Sequence, residues 1–88
     1  MPIISQFYGI IISMYFMESD KHHLPHLHAR YNENKATYDF DSNKINGEMP
    51  SKQDKLIQAW IQIHKDELNS LWILMREDNE YFKIKPLD

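Results

Sequence analysis

The stretch His26-Leu27-His28-Ala29-Arg30-Tyr31-Asn32-Glu33-Asn34-Lys35-Ala36-Thr37-Tyr38-Asp39-Phe40-Asp41 decides the fold. Leu27, Ala29 and Tyr31 alternate with His26, His28 and Arg30. After the polar turn Asn32-Glu33-Asn34, Ala36, Tyr38 and Phe40 alternate with Thr37, Asp39 and Asp41. Strand side chains have a period of two. The pattern therefore predicts a hairpin of two strands, 26–31 and 35–41, with one apolar face turned to a core. The other face carries two imidazoles and a guanidinium in a row, at same-face spacings of about 7 Å.

Upstream, Phe7 to Met17 is rich in β-branched and aromatic residues and apolar on both faces. It reads as one central strand, with Gly9 easing a bend near its start. Glu18 to Pro25 is polar and reads as a loop. Downstream, Asp41-Ser42-Asn43-Lys44 forms a second turn, and a short fourth strand fits near Lys44 to Asn46. Ser51 then reads as a helix cap, with Asp54 three residues on as a variant capping box. Leu56, Ile57, Trp60, Ile61, His64, Leu68, Leu71, Trp72 and Met75 follow at amphipathic helix spacing. Ile73 and Leu74 widen the apolar face near the end. No Gly or Pro interrupts 51–78, so one long helix and two with a bend near His64-Lys65 both fit. Tyr81 to Lys85 reads as a last strand or an extended tail.

The order of elements predicts an α+β fold: an antiparallel sheet of three to four strands packed against one long C-terminal helix, in a single domain, 1–88. Hydrophobic content of 42% and charged content of 26% are those of an ordinary globular chain. With no cysteine, disulfides, thiolate zinc sites and cysteine nucleophiles are excluded, and a reducing cytoplasm fits. The net charge of −3 disfavours a general grip on nucleic acid, although a local basic spot still suits one RNA or nucleotide phosphate. The apolar run 7–17 is too short to span a bilayer, and no Lys or Arg precedes it, so neither membrane nor secretion signal is expected.

Four of the five histidines crowd into 22–28. His26 and His28 suit proton transfer near neutral pH, with Arg30 holding a phosphate or oxyanion. Alternatively His22, His23, His26 and His28 supply ligands to zinc or a similar divalent metal. The plain reading is that they are solvent-facing or hydrogen-bonded structural residues. Asp39 and Asp41 share the histidine face in a simple register; either one orients an imidazole or they form an exposed ion pair with Arg30. His64 reads as a packed helix residue, and Trp60 and Trp72 as core anchors.

These residues resemble a small bacterial family known as domain of unknown function 4160. The likeness runs through Pro2-Ile3-Ile4-Ser5-Gln6-Phe7-Tyr8-Gly9-Ile10, Met14-Tyr15-Phe16, Pro25-His26-Leu27-His28-Ala29-Arg30-Tyr31 and the helix positions Leu56, Trp60, His64, Lys65, Leu68 and Trp72. Leu27 stands where the family usually has Phe, and Leu24 where it often has a first Pro. The resemblance carries His26, His28, Trp60 and His64 over as pattern residues. It implies a gene beside that of another small protein, in a toxin–antitoxin-like or regulatory pair. Two functions are therefore expected. One is a toxin-type enzyme acting on RNA or nucleotides through His26, His28 and Arg30. The other is a non-enzymatic module that binds a small partner protein encoded nearby, a metal, or a second copy of the chain.

Overall fold

The computed structural model describes residues 2–15 and 24–88. They form an α+β fold with five strands and two helices among them: β1 (Ile3–Phe7), β2 (Ile10–Ser13), β3 (His26–Tyr31), β4 (Asn34–Asp39), β5 (Lys44–Gly47), α1 (Ser51–Ile63) and α2 (Lys65–Asp78). The sheet is an antiparallel meander in the order β1-β2-β3-β4-β5.

The expected single strand from Phe7 to Met17 is instead the end of one strand and the whole of the next. Phe7 pairs directly with Ile10, so Tyr8-Gly9 is a two-residue hairpin turn. Both turn residues have positive φ, 49° and 78°, the backbone that matches the twist of flanking strands. Residues 16 and 17 of the expected strand lie outside the described residues. A register shift between Ile3 and Ser5 lets the adjacent residues Ile4 and Ser5 both turn inward.

The central hairpin also closes on two residues, Asn32 and Glu33, rather than three. Tyr31 pairs with Asn34, Arg30 with Lys35, Ala29 with Ala36 and His28 with Thr37. This register places alanine opposite alanine on the core face and polar opposite polar on the outer face, as burying one face requires. The fourth strand expected near Lys44 exists as β5. Thr37 pairs with Asn46 and Tyr38 with Lys44, so Ile45 is the extra residue of a bulge and is 49% exposed.

Of the two readings of the helical stretch, the structure has the second: two helices rather than one long one. The break falls at His64, whose φ of −110° and ψ of 21° leave helical geometry. No Gly or Pro marks this break. The expected side-chain cap at Ser51 does not form: Pro50 precedes the helix without a side-chain bond, and Asp54 faces Tyr38 instead. At the other end Asn79 closes α2 in the left-handed conformation, its N–H donating to the Met75 carbonyl.

Both helices cover one face of the sheet. Ile57, Trp60, Ile61, Leu68 and Leu71 are fully buried with Ile4, Ile10, Ile12, Leu27 and Tyr38 in one hydrophobic cluster. Trp60 meets Phe7 with ring centroids 5.5 Å apart, and Trp72 meets Phe40 at 6.2 Å. At roughly 25 cal/mol per Å² of apolar area, a buried tryptophan is worth a few kcal/mol before entropy costs. Residues 79–88 form no strand. They run as an extended tail that touches the β1 edge, where the Ile84 N–H donates to the Ile4 carbonyl at 2.8 Å. Trp60 Nε1 donates to the Lys85 carbonyl at 2.9 Å, so the buried indole finds its polar partner in that tail.

Candidate functional site

With the helices on one side, the outer face of the sheet carries no helix or strand among the described residues. Alternation supplies its side chains: Ile11 and Ser13 from β2, His28 and Arg30 from β3, Lys35 and Thr37 from β4, and Asn46 from β5. Together with Ile3, Ala29, Ala36 and Gly47 they line a shallow cavity of about 580 Å³. Its apolar lining comes from isoleucine and alanine. Its polar groups are an imidazole, a guanidinium, an ammonium, two hydroxyls and an amide. Among the described residues no Asp or Glu lines it.

Gly47 belongs to this wall for a steric reason. Its φ is 88°, and a Cβ there would lie 2.2 Å from the Lys35 carbonyl oxygen. Only glycine lets β5 approach β4 this closely. The same carbonyl accepts the Glu48 N–H at 3.0 Å, which holds the end of β5 against Lys35.

His28 is half-buried at the centre of the sheet. Tyr15 stacks on its ring at 5.2 Å with an interplanar angle of 9°, and Thr37 Oγ1 stands 3.4 Å from its Nδ1. His26 occupies the next outer position but does not line the cavity. Its ring lies between that of His28, at 5.3 Å, and that of Trp72, at 5.4 Å. Its Nδ1–H donates to the Leu24 carbonyl at 2.7 Å. A carbonyl can only accept, so Nδ1 carries a proton.

The expected trio is therefore split: His28 and Arg30 share a cavity, and His26 stands beside it. The expected aspartate partners are engaged elsewhere. Asp39 accepts from the backbone N–H groups of Asp41 and Asn43, both at 2.9 Å, and from the Asn43 amide at 3.1 Å. Burial works against its ionisation, but those bonds and the Lys65 charge outweigh it and hold the carboxyl below its usual range. Asp41 pairs with Lys65 at 2.5 Å. Neither carboxylate pairs with Arg30 or orients an imidazole.

Of the residues expected as metal ligands, His22 and His23 lie outside the described residues. No group of three or more His, Asp or Glu among the described residues comes together to hold a metal. His64 packs as expected, its ring 5.3 Å from Trp60 and its Nδ1 donating to Glu67 Oε1 at 2.6 Å. Lys35, Ser13, Thr37 and Asn46 were not among the expected site residues. Lys35 had a signal: only a two-residue turn aligns Ala29 with Ala36, and that turn puts Lys35 opposite Arg30.

The geometry defines a small α+β domain with a histidine-bearing strand in the middle of a meander and a polar cavity on its uncovered face. A family model described as domain of unknown function, DUF4160, matches residues 9–73, and the chain belongs to that family. No curated protein and no solved structure matches it. No helix among the described residues is long and apolar enough to cross a membrane.

Proposed function

We propose that this protein is one component of a small cytoplasmic toxin–antitoxin-like module, acting on RNA or a nucleotide through the outer face of its sheet. The observation that carries the reading is the joint placement of His28 and Arg30 in one cavity that no described carboxylate lines, beside two hydroxyl side chains. An imidazole there can take the proton of a ribose hydroxyl as its oxygen attacks the neighbouring phosphorus. Arg30 holds the charge that grows on the phosphoryl oxygens. The leaving oxygen needs a proton in return, and His26, whose ring is 5.3 Å from that of His28, is the second imidazole this reading assigns to it.

The test is RNA cleavage by the purified protein, and growth arrest on its expression, in wild type and in His26→Ala and His28→Ala. The expected result is activity in wild type that His28→Ala abolishes. Full activity in both variants would overturn the reading.

A second reading, a non-enzymatic module that docks a small partner protein, draws on apolar side chains left in solvent. Ile63 is 64% exposed on α1 and Ile73 is 48% exposed on α2. Such residues suit helix-face recognition. A stable complex with the product of a neighbouring gene, without any turnover, would favour it over the first.

A further inference from the structure

Arg30 and Lys35 are direct partners across the β3–β4 ladder, and both line the outer cavity. Like charges directly opposite each other on a sheet are destabilising. The chain has more acidic than basic residues, thirteen to ten, so acidic partners for them are in ample supply. Yet neither Arg30 nor Lys35 forms an ion pair with a described residue; the carboxylates on the neighbouring turn engage Asn43 and Lys65 instead. Two cations thus stand as cross-strand neighbours on this face with donors around them: the Thr37 hydroxyl beside Lys35 on its strand, and the Asn46 amide opposite Thr37. Among the described residues the lining holds no Asp or Glu that would repel an anion.

The geometry points to a phosphate-binding site clamped between Arg30 and Lys35, which takes the phosphoryl group of a single nucleotide unit. This rests on the reading of the outer face as the nucleotide-acting surface, and adds to it a second cation and a size limit. An anion between the two side chains removes their mutual repulsion, and the guanidinium can meet two phosphoryl oxygens at once while the ammonium meets a third. The cavity of about 580 Å³ lies in the range of small-ligand pockets. Its apolar walls of Ile3 and Ile11 give the sugar or base a surface beyond the phosphate. A free nucleotide and a nucleotide within a single RNA strand present this same chemistry. A double helix does not present one nucleotide to so small a concavity.

The test is a titration of the full chain with inorganic phosphate, a nucleoside 5′-monophosphate and a short single-stranded RNA, read by amide NMR shifts and by thermal melting. The expected result is that Arg30, Lys35, Thr37 and Asn46 shift together with the monophosphate, the RNA, or both; the stronger binder identifies the source. Lys35→Ala weakens that binding by about tenfold at low salt, Lys35→Arg restores it, and the slope of log affinity against log salt falls by about one in the alanine variant. Without ligand, Lys35→Ala melts no lower than wild type, because it removes a like-charge pair; phosphate then raises the wild-type melting temperature more. No shifts up to about 10 mM of any probe, or equal affinity in wild type and Lys35→Ala, would overturn the site. Binding with these properties but without RNA cleavage leaves the site standing and removes only the enzymatic reading. Cleavage that is indifferent to Lys35 does the reverse.

Discussion

The Tyr38 hydroxyl donates to the Asp54 carboxylate at 2.5 Å, and so ties a fully buried residue near the end of β4 to the first turn of α1. The bond explains two features at once. It gives a buried phenol its obligatory partner, and it uses the carboxylate that would otherwise have closed a capping box at the helix start.

Tyr38→Phe removes that bond while keeping the ring in the core. A loss of about 1.5–3 kcal/mol in denaturant unfolding is expected, since a bond to a charged acceptor is worth about that much.

The same residue gives an alkaline signature. Burial first, then the hydrogen bond to Asp54 and its negative charge, push the Tyr38 phenol above its ordinary value. A folded-state value raised above the unfolded one adds stability that is complete below about pH 10 and shrinks as pH rises further. Unfolding measured from pH 8 to 11 should show that decline in wild type, and a shallower one in Tyr38→Phe.

Asp39 behaves in the opposite sense. Its carboxyl is held below the usual range, so its contribution is complete above about pH 4 and is lost as pH falls through the folded-state value. Asp39→Ala should cost about 1 kcal/mol at neutral pH by opening the turn to Asn43, and should flatten the acid limb of the stability curve. Asp39→Asn keeps an acceptor oxygen and should lose less.

Gly47→Ala sets a methyl group against the Lys35 carbonyl in a backbone conformation that L-residues avoid. A loss of about 2 kcal/mol or more is expected, from strain and from separation of β5. Amide exchange in Lys44–Gly47 would rise first, ahead of the central strands.

Much of this fold was legible from alternation alone. The outward pair His28 and Arg30 and the inward set Leu27, Ala29, Ala36 and Tyr38 stand where a period of two puts them, while the His26 ring reaches Trp72 and Phe40 is buried just past the end of β4. The helix stripe through Ile57, Trp60, Ile61, Leu68 and Leu71 was equally plain. The turn between β1 and β2 was hidden because Tyr8 lacks the signature of a turn residue, and Phe7 and Ile10 on either side are both apolar. A break near His64-Lys65 was one of two readings open in the sequence, because no Gly or Pro there decides between one helix and two. In the site, Arg30 and His28 were readable, but Lys35 depended on a one-residue difference in turn length. That difference changes every cross-strand pair in the hairpin.

The meander has a bearing on how the chain acquires its shape. Each strand pairs only with its neighbours in sequence, so most of the sheet can assemble from nearby segments, an arrangement associated with rapid folding. The bond from Ile84 to Ile4 is different, because it brings together segments from nearly opposite ends of the chain. Closing so large a loop carries the greater entropic cost, and the buried Ile84 side chain and the Trp60 bond to Lys85 are what offset it.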